Sequence, residues 1–192
     1  MKILIGALII LVLLALLAGN IMSRVEQPKY KTVDSKGSFE IREYSPMIVA
    51  EVEITADRKT AIKEGFRALA DYIFGNNTSH TRIAMTAPVL QEGSKNSWQI
   101  RFTMPHTYTL ETLPAPICKN IHIKSLESKK FAAIQFSGIA TDKSLEKNLE
   151  TLKNILQEKN ITIIGKPILA FYNPPWTLPF LRRNEILIEI KP

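Results

Sequence analysis

The sequence predicts an α+β domain made of two ββαββ units that close into one antiparallel sheet or barrel, with a helix against each half. Three observations carry this. The order and spacing of elements recur: strand 47–54 answers to 130–137, helix 60–74 to 143–157, and 83–90 to 166–173, each at an offset of about 83 residues, although the residue identities do not repeat. Two segments carry apolar residues at the 3.6-residue helical period. The segments around them alternate apolar and polar residues, as half-buried antiparallel strands do.

Taken in order, Ile3 to Ser23 carries no charge and is mostly Leu, Ile, Ala and Val. Roughly 20 apolar residues suffice to cross a bilayer as a helix. The run exceeds the usual h-region of a signal peptide, and Ala15-Leu16-Leu17-Ala18-Gly19 offers no clear Ala-x-Ala site. Residues 1–24 are therefore read as a single-pass N-terminal membrane anchor, the alternative being a cleaved signal and a secreted or periplasmic protein. Residues 25–38 are polar, contain Pro28 and Gly37, and read as a tether to a domain spanning 39–192.

In that domain Phe39-Glu40-Ile41-Arg42 alternates, and Tyr44-Ser45-Pro46 makes a corner. Ile48, Ala50, Val52 and Ile54 share one strand face, with Glu51 and Glu53 on the other. Ile62, Phe66, Leu69, Ala70, Ile73 and Phe74 form one face of a helix over 57–74, stopped at Gly75-Asn76-Asn77. Residues 82–90, centred on Met85-Thr86-Ala87-Pro88, read as a buried strand that ends or bulges at Pro88, because proline cannot donate to a ladder. Trp98, Ile100, Phe102 and Met104 alternate with polar residues, and 105–118, with three prolines, reads as an ordered connector. The pattern then recurs: strands at 121–124 and 131–136, a helix from about Asp142 to Lys159, a strand at 167–172 broken by Asn173-Pro174-Pro175, and a final strand through Ile186, Ile188 and Ile190.

Composition narrows the function. The net charge of +7 favours anionic surfaces such as lipid head groups or the propionates of a tetrapyrrole. The basic residues are scattered, without the Lys/Arg runs interleaved with aromatics that single-strand nucleic-acid binding needs, so no nucleic acid is expected. The one cysteine, Cys118, leaves no internal disulfide, no Cys-x-x-Cys-His haem attachment and no Cys/His zinc cluster. His80, His106 and His122 show no metal-ligand spacing and read as surface histidines, with His80 or His106 as an opportunistic iron ligand the sharper alternative. No Gly-x-Ser-x-Gly elbow, phosphate-cradling loop, dinucleotide fingerprint or His-Glu-x-x-His is present, so no catalytic residue is assigned. Glu40, Glu43, Glu51 and Glu53 read as a solvated sheet face.

The most specific stretch is Ala170-Phe171-Tyr172-Asn173-Pro174-Pro175-Trp176 with Arg182-Arg183-Asn184-Glu185-Ile186. On physics alone, the paired arginines are a solvated strand entry. Taken with Ile41-Arg42-Glu43-Tyr44-Ser45-Pro46, Tyr72–Asn77, Ile83–Val89 and Phe136-Ser137-Gly138, the chain resembles the SOUL/haem-binding family over roughly residues 30–191. That resemblance implies a distorted eight-stranded antiparallel barrel flanked by two helices, and non-covalent binding of haem or a related tetrapyrrole in a shallow apolar groove beside the first helix. The groove residues it implies are Lys63, Phe66 and Ala70 on the helix, with Tyr172, Arg182 and Arg183 near the same groove. Ala70 stands where a relative has methionine, Asn173 where aspartate is usual, and Phe74 where glycine is usual. Glu43 occupies the position at which some relatives carry a histidine proposed as an iron ligand.

The expected function is reversible haem or tetrapyrrole binding by an anchored domain, as a carrier or buffer. Two other classes remain open: an interaction module whose groove takes a protein segment or lipid, and a hydrolase-like enzyme on a small apolar substrate. The enzyme requires Glu51 or Glu185 to sit in the groove with a raised pKa.

Overall fold

The computed structural model describes residues 25–192; the expected anchor over 1–24 lies outside the described residues. Within them no helix is long and apolar enough to cross a membrane.

Among the described residues nine strands and two α-helices follow one another as β1 (Tyr30–Lys36), β2 (Phe39–Tyr44), β3 (Met47–Ile54), α1 (Arg58–Ile73), β4 (Val89–Ser94), β5 (Ser97–Thr103), β6 (Ile121–Leu126), β7 (Lys129–Phe136), α2 (Asp142–Glu158), β8 (Ile163–Phe171) and β9 (Asn184–Ile190). The strands make a single antiparallel sheet in the order β1-β2-β7-β9-β8-β4-β5-β3-β6, which curls as a half-barrel. The α+β class and the two flanking helices are as expected; the sheet has nine strands where the distorted barrel was expected to have eight, and it stays open. β1 and β6 are both edges, and the extra strand, β1, is the segment read as a tether. It was illegible because Lys31, Thr32 and Val33 are all exposed, so β1 lacks the alternation that marks a half-buried strand. Charged side chains on such an edge discourage further pairing.

The two ββαββ units are present as β2-β3-α1-β4-β5 and β6-β7-α2-β8-β9, with their first strands exchanged. β2 turns through Ser45-Pro46 into β3, yet it pairs with β7 of the other unit, Phe39 opposite Ile134 and Tyr44 opposite Lys129. Likewise β6 leads into β7 but pairs with β3, Met47 opposite Leu126 and Val52 opposite Ile121. The halves meet in the middle of the sheet, where Val89–Glu92 of β4 pairs with Ile168–Phe171 of β8.

The 82–90 run is a second correction. Only from Val89 does it join the sheet. The preceding donors go elsewhere: Ile83 N–H to the Ile73 carbonyl at the end of α1, Ala87 N–H to the Glu26 carbonyl, and the Thr86 hydroxyl to the Thr103 carbonyl at 2.6 Å. With Pro88 unable to donate, the segment lies as a buried irregular strap across the end of α1 rather than as a ladder strand.

Each helix covers its own half of one sheet face. Asp57 caps α1, accepting from the Lys59 and Thr60 amides, and Thr141 caps α2. Leu69, Tyr72 and Ile73 of α1 join Ala50, Val52, Ile100 and Phe102 in one core; Leu145, Leu152 and Leu156 of α2 join Ala132, Ile134, Ile186 and Ile188 in a second. Trp98 touches both. A third cluster, of Ala87, Leu90, Ala133, Ala170, Tyr172 and Leu187, lies on the opposite face, away from the helices.

The buried stripe of α1 is rotated from the one the sequence suggests. Ala61, Gly65, Leu69 and Tyr72 face the sheet, while Phe66 and Phe74 are exposed and Ile62 and Ala70 are half-buried. Small residues at 61 and 65 let the helix backbone lie close on β5; a Cβ on Gly65 would meet Ile100 Cγ1 at 2.5 Å. Periodicity weights large apolar residues and so misplaces a stripe whose contact residues are small.

Candidate functional site

The rotation of α1 leaves an apolar ledge on its outer flank. Phe66, 42% exposed, stands edge-on to the buried ring of Phe102, the centroids 5.3 Å apart. Ala70 and Phe74 follow one and two turns along the same flank, and exposed Lys63 lies one turn before Phe66. The spacing of Phe74 predicts the buried face, but it is 62% exposed, and that exposure extends the ledge. Tyr72 anchors the helix from beneath, its hydroxyl donating to the Pro114 carbonyl at 2.7 Å, and burial raises that phenol to about 12. Asn77, fully buried, fixes the turn after α1: its amide donates to the carbonyls of Tyr72 and Thr81.

The other three expected groove residues do not join this ledge. Directly opposed residues share a face, so Phe171, Val89 and Phe102 point to the helix side and Ala170, Leu90 and Arg101 to the other. Tyr172 continues the phase of Ala170 and lies in the third cluster, 7% exposed, on the face opposite Phe66. Arg183 stacks over the Tyr172 ring, 3.9 Å from its centroid. Arg182 closes its own loop, donating from Nε to the Thr177 carbonyl and also to the Pro175 carbonyl.

What gathers Tyr172 and Arg183 is Glu185, fully buried on β9. Arg42, 2% exposed on β2, grips it with both terminal nitrogens, at 2.7 and 3.0 Å. Arg183 pairs with it at 2.7 Å, and the Tyr172 hydroxyl donates to it at 2.7 Å. Burial alone would raise the Glu185 carboxyl; the hydrogen bonds and charge of Arg42, then the charge of Arg183, outweigh that and hold it below the ordinary carboxylate range. Burial, followed by the neighbouring Glu185 charge, pushes the Tyr172 phenol strongly up, so it remains a donor. Nothing in the spacing of these residues signals the network. Glu40, Arg42 and Tyr44 share the polar phase of an alternating strand, which reads as solvated.

The same face carries a second polar arrangement on the other half of the sheet. Glu51 is 3% exposed rather than solvated, bonded by Arg101 Nε at 3.0 Å and by Lys124. Burial raises its carboxyl, and the hydrogen bonds from Lys124 and Arg101 reverse that and lower it. Beside it is a cleft of about 450 Å³ lined by Glu51, Glu53, Gln99, Asn120, His122 and Lys124. Its polar walls suit a hydrated guest, not a flat apolar ring. Both carboxylates the enzyme reading needs are therefore ionised, ion-paired, and on the face away from the α1 ledge. Neither is a base with a raised pKa.

The residues present fit a tetrapyrrole in part. The ledge offers aromatic and aliphatic surface with a cation at one end. It offers no matched imidazole: Glu43 is exposed on β2, His80 and His122 are exposed, and His106 Nδ1 lies 3.0 Å from Glu26. Among the described residues no three His, Cys, Asp or Glu side chains come together to hold a metal ion.

Comparison with known proteins places this arrangement in a family. Residues 25–189 match the SOUL heme-binding protein family. The chain belongs to that family. It is 28% identical to Heme-binding protein 2 of Mus musculus over 176 residues, and 29% identical to Heme-binding protein 2 of Homo sapiens over 175, covering 84% of each chain in both cases. Among solved structures the fold is similar to the EcmrR C-terminal domain, with a TM-score of 0.59 at 13% identity, covering 84% of this chain and 98% of that one. It is also similar to a protein described as a hydrolase from Listeria innocua, with a TM-score of 0.60 at 9% identity, covering 83% and 94%. At such identities these two show the shared fold alone.

Proposed function

We propose that this chain binds haem or a related tetrapyrrole, non-covalently and reversibly, on the α1 ledge, and that it serves as a membrane-anchored carrier or buffer. Family membership across 25–189 is the observation that carries the reading. The exposed edge formed by Phe66, Ala70 and Phe74 supports the place. A macrocycle laid there removes apolar surface from water at about 25 cal/mol per Å², before the costs of association. Lys63 supplies a charge-assisted partner for a propionate. Tyr172 and Arg183 act at a distance, as part of the buried network that fixes β8 against β9. The apolar run Ile3–Ser23 supports the anchor.

A titration of the chain from Val25 onward with haemin, followed by absorption, tests this. A saturable Soret change is expected, weakened about ten-fold or more by Lys63→Glu combined with Phe66→Ala. Because no imidazole stands at the matched position, protoporphyrin IX is expected to bind comparably, and His106→Ala to leave the Soret band unchanged. No spectral change with haemin overturns the reading. Equal binding by the double variant moves the site off α1.

A further inference from the structure

The loop between β8 and β9 is tightly built. At its base Arg183 N–H donates to Asn173 Oδ1 at 2.7 Å and Tyr172 N–H to the Arg183 carbonyl at 3.3 Å. Inside it, Thr177 N–H reaches the Pro174 carbonyl at 3.0 Å, Leu181 N–H the Leu178 carbonyl at 2.9 Å, and Arg182 N–H the Pro179 carbonyl at 3.1 Å. The Arg182 guanidinium spans the Pro175 and Thr177 carbonyls. The neighbouring loop is tied on, Gly138 N–H donating to the Pro179 carbonyl at 2.8 Å. Yet this braced backbone turns its largest apolar side chains outward: Trp176 is 65% exposed, Phe180 69%, Leu181 45%, and Ile139 on the attached loop 60%. Four exposed apolar side chains, three on one short braced loop and the fourth on the loop tied to it, mark a contact surface.

The path of the chain indicates which contact. Val25, where the described residues begin, packs against the cluster that contains Tyr172. Gln27 Oε1 accepts from Arg183 Nη1 at 3.2 Å. The chain thus enters the domain at the foot of the β8–β9 loop. Upstream, only Ser23 and Arg24 separate Val25 from Met22 in the uncharged run. At about 3.3–3.6 Å per residue, that leaves roughly 10 Å between the foot of the loop and the run. A bilayer that receives the run must pass close beside the loop.

We propose that the β8–β9 loop is a membrane-docking element: Trp176, Phe180 and Leu181 enter the interfacial zone of the bilayer that holds the N-terminal segment. This rests on the anchor reading above. Tryptophan is favoured at the head-group level, where an amphipathic ring meets both acyl chains and water. The chain's net charge of +7 favours an anionic leaflet. The anchor tethers, and the loop sets how the domain lies.

The test uses the full chain in vesicles of phosphatidylcholine and phosphatidylglycerol, with and without bromine high on the acyl chains. Flotation is read first, then tryptophan emission, for the native chain and for Trp176→Leu. This substitution is at an exposed site and leaves half-buried Trp98 as the internal control. The expected result is that the native chain floats and loses emission in brominated vesicles, and that Trp176→Leu floats and shows no such loss. A chain that floats but whose emission bromine does not touch, or touches equally in both forms, overturns docking while the anchor stands. A chain that stays with the aqueous fraction overturns both.

Discussion

Arg42→Leu is expected to lower the unfolding free energy by about 3–5 kcal/mol, because it strands a buried carboxylate. Glu185 is fully buried and receives two of its hydrogen bonds from that one guanidinium. Arg42 also lies 4.5 Å from the Tyr30 ring centroid and donates to the Tyr44 hydroxyl at 3.2 Å, so it ties β1, β2 and β9 together. Arg183 remains on Glu185 but is part-exposed and holds only one side of it. Removing both charges, with Arg42→Leu and Glu185→Leu together, is expected to restore most of the loss, since an apolar pair of similar volume avoids desolvation altogether. The pH dependence has a definite sign. The folded Glu185 carboxyl is lowered from its ordinary 4.5, so its contribution is complete above that pH and is lost as pH falls through the folded value. In Arg42→Leu the stranded group is relieved by protonation, so the gap between variant and native protein narrows in acid. Urea midpoints at pH 7 and pH 4 measure both. A single-variant loss under 1 kcal/mol, or a gap that widens in acid, would show that Glu185 is not the group left exposed to the cost.

Gly65→Leu is expected to cost about 3 kcal/mol or more, and Gly65→Ala less, since alanine regains about 1 kcal/mol of helix propensity. The first added carbon already falls 2.5 Å from Ile100 Cγ1 and 3.0 Å from Ile100 Cβ, in a core where Ile100 is fully buried. Either the helix lifts or β5 gives way. Lifting carries Phe66 off Phe102, so haemin affinity should fall together with stability. Combining Gly65→Ala with Ile100→Ala should cost less than the sum of the two single losses, because the clashing carbon is gone. Denaturant titrations of the four proteins in that cycle check this, and strict additivity would mean that the contact is relieved at no cost elsewhere.

The parts of the fold that were legible in the sequence are those where burial imposes a period. The two helices, the alternation at Ala50, Val52, Ile100 and Phe102, and the repeated order of elements all follow from one apolar face per element. The misreadings share a cause as well: position in the sheet is a tertiary fact. β1 is an edge with little to bury. The strap at 82–88 is as apolar as a strand but spends its amides on Ile73 and Glu26. Arg42, Glu51 and Glu185 sit on polar phases that a lone strand would show to water, and only pairing across the sheet encloses them. The α1 ledge was read from resemblance, and its residues do share one flank. Tyr172 and Arg183, grouped with it, lie across the sheet, and Arg182 is held within its own loop, because sequence proximity to Asn184 and Glu185 says nothing about which face β8 and β9 present.

The exchange of first strands has a consequence for how the molecule holds together. Neither unit is self-sufficient: a lone unit would offer β3 or β7 without the neighbour that completes it, and would carry a spare strand fitted to something else. Two separate half-length chains could satisfy each other only by clasping hands, each lending a finger to the other's palm. The 104–120 segment joins such a clasped pair into one thread. A cut there would sever the thread and leave the grip.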